Sequence, residues 1–152
     1  MGFPATHILV PIDGSSSARN AVLYAGQIGR LCTASMTLLR VHRPDLYQAN
    51  SLSEVPPLGA FQDLSALEKQ MNDPGLDPVF REARELLGQV KRCDEKILWG
   101  QPAAVICEFA RDHHVDLIVM GARGRSNFAA LLLGSVSSQV LQHAPCPVTV
   151  VR

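Results

Sequence analysis

Five short apolar runs alternate with segments of helical period along this chain, and that alternation limits the folds open to it. HILVPI at 7–12, MTLLRV at 36–41, KILW at 96–99, DLIVMG at 116–121 and PVTVV at 147–151 read as strands. Most carry apolar residues at adjacent positions, which marks strands buried on both faces. Between them, Ala18, Ala21, Val22, Ala25 and Ile28 fall at helical spacing from Ser17 onward. The same spacing recurs over 76–92, in the segment opened by Pro102, and over 135–143. Strands separated by helices predict an α/β domain, its parallel sheet covered on both faces. Right-handed crossovers make it a doubly wound sheet, most simply in the order 3-2-1-4-5.

One domain accounts for all 152 residues. Its one irregular stretch is an insert at 43–75 carrying Pro44, Pro56, Pro57 and Pro74, in which 63–71 has the pattern of a short helix. A connection of this length serves as a lid or as a loop over the sheet edge.

Charge narrows the partners. Fourteen Lys and Arg balance fourteen Asp and Glu, so the chain has no net field to draw it to nucleic acid or an anionic membrane. No apolar run approaches the roughly 18 residues of a membrane helix. Cys32, Cys93, Cys107 and Cys146 are widely spaced without a C-x-x-C pair, as expected of reduced thiols in a cytoplasmic protein. His113 and His114 suit the end of a helix, His143 and Cys146 are too few for a metal site, and Cys107 falls on a buried stripe. Trp99 is expected to pack at the end of an interior strand, near a pocket edge.

In an open parallel sheet a ligand sits beyond the carboxyl ends of the strands, where the strand order reverses. Here that crevice falls between the first and fourth strands. Pro11 to Gly14 would border it on one side and Met120 to Gly124 on the other, with Val41 and His42 beside them. Gly121 and Gly124 stand three apart, and Gly134-Ser135 follows immediately before the last helix. Glycines let backbone N–H groups approach a phosphate, and Ser135 as N-cap would place a helix dipole behind it. Arg123 and Arg125 add positive charge. The same residues also suit a strand-end turn, a kink and a plain cap. There is no G-x-x-x-x-G-K-[ST] loop, and no G-x-G-x-x-G follows the first strand.

The spacing Gly121-x2-Gly124-x9-Gly134-Ser135, with HILVPIDGS at 7–15 and the closing segment 116–152, resembles the ATP-binding type of the universal stress protein family. The resemblance spans nearly the whole chain and implies a site residue by residue. Asp13 would take the adenosine end, Pro11 and Val41 the adenine slot, and Met120 and Gly121 the ribose and α-phosphate. Arg123 and Gly124 would flank the phosphates, and Gly134, Ser135 and Val136 would hold the outer two. Mg2+ or Mn2+ would ride on the phosphates. A carboxylate at 13 suits a ribose hydroxyl or an amino proton better than a phosphate.

Two classes of function stay open. One is a regulatory stress-response protein whose ATP occupancy switches its conformation or its choice of protein partner. The other is a slow ATPase or an autophosphorylating phosphotransferase, for which the phosphate end offers serines and arginines but no general base, Asp13 being expected too far away. An interaction module with an empty pocket is a third. PVTVV should form an apolar sheet edge and pair with its two-fold mate, as the resemblance also implies, giving a homodimer.

Overall fold

A computed structural model describes residues 5–45, 68, 69, 71–124 and 133–152. Most of the insert, and with it most of the helix expected over 63–71, lies outside the described residues. The elements run β1 (His7–Pro11), α1 (Ser16–Cys32), β2 (Ser35–His42), α2 (Pro78–Leu87), β3 (Arg92–Trp99), α3 (Pro102–Asp112), β4 (Leu117–Gly121), α4 (Ser135–His143) and β5 (Val148–Val151). The five strands form one sheet in the order β3-β2-β1-β4-β5, and every pairing is parallel. The doubly wound architecture expected from the alternating pattern is the one observed.

Successive strand residues feed opposite layers, as the two-residue period requires. Ile8 and Val10 of β1 join Met36, Leu38 and Val119 beneath α1 and α2. Leu9 joins Leu39, Ile118 and Met120 beneath α3 and α4. Phe80 anchors the first layer and Ile106 the second, both buried.

Local chemistry sets the element boundaries. Ser15 caps α1, its side chain accepting from the Ala18 N–H. Asp77 caps α2, whose first residue is Pro78. That helix stops at Gly88, where φ is +66°, and so falls short of the 76–92 span its periodicity suggests. β3 begins four residues before the expected Lys96. Arg92 to Glu95 break the apolar run, yet they pair with Ser35 to Leu38 of β2. These charges are tolerated because β3 is an edge strand. Its Glu95 is held by both carboxylate oxygens to the Arg84 guanidinium, each at 2.7 Å. Trp99 therefore ends an edge strand rather than an interior one. It is 38% exposed, and its indole N–H donates to Asn72 Oδ1 at 2.7 Å.

At the amino ends of the strands, one carboxylate ties β1 to the start of β4. Asp116 Oδ2 accepts from the Thr6 hydroxyl at 2.6 Å and from the Thr6 and His7 N–H groups at 2.8 and 2.9 Å. The Thr6 hydroxyl, outweighing partial burial and helped by the two N–H groups, holds the Asp116 carboxyl below its ordinary range. A depressed folded-state pKa supplies stability above the unfolded value of about 3.9, and that stability is lost as the pH falls through the folded value. Asp116→Ala should therefore cost about 1–3 kcal/mol in urea unfolding at neutral pH. The gap to the parent should narrow between neutral pH and about pH 3, because the unfolded-state carboxylate protonates before the folded one. An identical gap at both pH values would contradict this role.

Candidate functional site

Three chain segments meet beyond the carboxyl ends of β1, β2 and β4 and enclose a cavity of about 550 Å³, within the range of small-molecule sites. Pro11 and Asp13 enter it from the end of β1, and Val41 from the end of β2. Met120 and Gly121 come from the end of β4, and Arg123 and Gly124 from the loop after it. Gly134, Ser135 and Val136 come from the start of α4. All ten residues singled out in the sequence thus line one cavity; Arg125 lies outside the described residues.

Each side has its own construction. The chain turns out of β1 at Gly14, where φ is +81°, and Asp13 steadies the turn by accepting from the Ser15 N–H at 2.9 Å. Its other carboxylate oxygen faces the glycine loop: a Cβ placed on Gly124 would lie 3.1 Å from Asp13 Oδ2. Asp13 therefore lies beside Gly124 as well as in the β1 turn, nearer the glycine loop than the sequence suggested. The sequence misses this because β1 and the loop after β4 are separated by more than a hundred residues.

The β2 side ends with open peptide groups. Ile12 N–H donates to Leu39 O at 2.9 Å, the last such rung between these chain segments among the described residues. Gly100 N–H donates to His42 O at 2.9 Å, so the His42 peptide groups face β3. By the pleat, Val41's N–H and C=O face the other way, over the place where the first segment has turned off into α1. Pro102 and Ile106 of α3 add an apolar wall that was not expected from the sequence.

His42 flanks this mouth as expected, and Arg40 and Arg43 join it without having been expected there. Arg40 is ion-paired with the α2 cap Asp77, and Arg43 with Asp45 at 2.7 Å. Burial, followed by the charge of Arg40, pulls His42 below its ordinary pKa against the opposing pull of Asp77. Its ring is tilted against Trp99, with the centroids 4.9 Å apart.

The α4 side corrects one expectation. Gly134, not Ser135, is the N-cap, and it has no side chain with which to make a cap bond. Ser135 is the first helical residue. Gly134 N–H donates to Ala122 O at 2.7 Å, and Ser137 Oγ donates to the same carbonyl at 2.8 Å. The open first turn of α4 thus looks into the cavity across the loop it holds.

His113 and His143 each bond a carbonyl of the preceding helical turn through Nδ1, at 3.1 and 2.9 Å. Among the described residues no three His, Cys, Asp or Glu side chains converge as metal ligands. Cys107 packs in the second core layer, where burial pushes its thiol up. Burial, then Glu95 and Asp94, pushes Cys93 up to about 11. Among the described residues no helix is long and apolar enough to cross a membrane.

Fold and crevice together define an open parallel α/β domain with a cavity at its topological switch point. Residues 4–152 match the model of the universal stress protein family. A universal stress protein from Thermus aquaticus is 35% identical over 146 residues, covering 95% of this chain and 97% of the relative. The structure of universal stress protein UspA from Lactobacillus plantarum superposes with a TM-score of 0.72 at 30% identity, covering 97% of this chain and 98% of the other. A universal stress protein solved in complex with cAMP gives a TM-score of 0.66 at 25% identity, covering 98% of both chains. The chain belongs to the universal stress protein family.

The first glycine of the Gly121-x2-Gly124-x9-Gly134 spacing has a steric reason. A Cβ on Gly121 would fall 2.5 Å from Ser17 Oγ and 2.7 Å from the Ala18 nitrogen, inside the first turn of α1. Its smallness admits a helix, where the sequence suggested access for a phosphate. Gly121→Ala should therefore cost about 1–3 kcal/mol in the ligand-free protein, read as a lowered melting temperature. A variant as stable as the parent would remove the steric explanation.

Proposed function

We propose that this protein binds ATP in the crevice between β1 and β4 and uses occupancy as a switch of conformation or of protein partner. The observation that carries the reading is the open peptide of Val41 at one end of a cavity whose other end is the uncapped start of α4. Adenine presents an amino donor beside a ring acceptor, which the Val41 C=O and N–H match in order. Guanine reverses that pattern. Asp13 is close enough to the β1 turn to accept from a ribose hydroxyl, while Gly124 and the first N–H groups of α4 suit anionic phosphates. The relative solved with cAMP supports an adenine nucleotide.

Mg2+ or Mn2+ would ride on phosphate oxygens and water, a normal arrangement for a hard cation with few protein ligands. The four free cysteines accord with a reducing, cytoplasmic setting. Slow hydrolysis is a second reading, favoured by the Asp13 carboxylate beside Gly124, where it could orient water.

Melting in the presence of ligands tests the main reading. ATP at a hundred times its Kd should stabilise the protein by about 2.7 kcal/mol, while GTP at the same concentration should do far less. Equal shifts for the two would refute adenine selection. Asp13→Ala should weaken ATP about tenfold while leaving inorganic triphosphate bound as well or better, since a carboxylate is lost from the phosphate side. Equal loss of both ligands would contradict the ribose assignment.

Assembly belongs to the same proposal. β5 is an edge strand of half-buried valines, and such an edge invites pairing with its two-fold mate as an antiparallel homodimer. Pro147 O and Val151 O accept from Ile118 and Ala122 of the neighbouring segment, so the peptides of Val148 and Val150 face outward. Val150→Pro removes an outward N–H and should yield monomers that still fold. Light scattering of the parent near 16.5 kDa at micromolar concentration would end the dimer proposal.

A further inference from the structure

The loop after β4 is gripped from α1 as well as from α4. Ser17, the second residue of α1, is 9% exposed and donates its hydroxyl to Arg123 O at 2.6 Å. It also accepts from the Arg123 N–H at 3.3 Å, which uses the hydroxyl as donor and acceptor at once. Ser15 Oγ makes a second, longer bond to the same carbonyl at 3.2 Å. In a trans peptide the C=O and the following N–H point in opposite directions. Drawing Arg123 O down onto α1 therefore turns the Gly124 N–H away from α1, toward the cavity that Gly124 lines.

We infer that Ser17 is a positioning residue of the anion cradle, and that Gly121 and Ser17 form a single device. The hydroxyl sits 2.5 Å from where a Gly121 Cβ would be. The glycine makes room for the hydroxyl, and the hydroxyl fixes the peptide whose N–H faces the phosphates. Nothing in the residue's place in the chain marks it: it is one of three serines in a turn, separated from the loop by 106 positions. The inference rests on the reading of the crevice as an ATP site and adds to it a residue that touches no ligand.

Titration calorimetry of Ser17→Ala with three probes tests it: ATP, inorganic triphosphate and adenosine. ATP and triphosphate affinities should each fall about tenfold, while adenosine affinity stays within about twofold of the parent. Unchanged ATP affinity overturns the inference. So does a parallel fall for adenosine, since the hydroxyl would then only be holding the domain together. If Ser17→Ala does not fold, Ser17→Cys fills the same space with a weak donor and should show the same selective loss. Failure of the parent to bind either ATP or triphosphate overturns the ATP reading itself, whatever the variant does.

Discussion

Helices that leave β1 and β4 on opposite faces of the sheet are the constraint on which the rest of this structure depends. α1 packs over the layer built from Ile8, Val10 and Val119, whereas α4 packs over the layer of Leu9, Ile118 and Met120. Two neighbouring parallel strands whose continuations depart in opposite directions must leave a gap beyond their carboxyl ends. The pairing of β1 with both β2 and β4 makes that gap a closed-sided crevice, and its walls are whatever residues end those strands.

The rim is kept in shape by small residues and hydroxyls rather than by charge. Ala122 O is held by Gly134 and Ser137, Arg123 O by Ser15 and Ser17, and the Ala122 N–H reaches Val151 O at 2.7 Å. These bonds tie the loop to α1, α4 and β5 together. In the proposed switch, a ligand that moved the loop would therefore be felt at the sheet edge.

Much of this was legible in the sequence because parallel strands and amphipathic helices carry different periods. The strand order followed from handedness, and the order placed Pro11, Asp13, Val41 and the segment Met120 to Gly124 at the crevice; Gly134 and Ser135 came from the glycine spacing and Val136 from the family resemblance. Boundaries were less legible where a charge interrupts a strand, as at Arg92 to Glu95, or where one glycine ends a helix, as at Gly88. The steric role of Gly121 was hidden for a deeper reason. A missing Cβ is visible in a sequence, but the atom that takes its place, Ser17 Oγ, belongs to an element a hundred residues away. Asp13 beside Gly124, and the exchange of capping roles between Gly134 and Ser135, were hidden in the same way.

The central claim is that ATP occupies the crevice with its base at Val41 and its phosphates at the start of α4. Backbone amide chemical shifts followed by NMR through an ATP titration test it most directly. The account predicts large shifts at Val41, Gly124, Ser135 and Val136, with Thr6, His7 and Asp116 at the far end of the strands unmoved. Shifts concentrated at that far end, or none anywhere under saturating ATP, would contradict it.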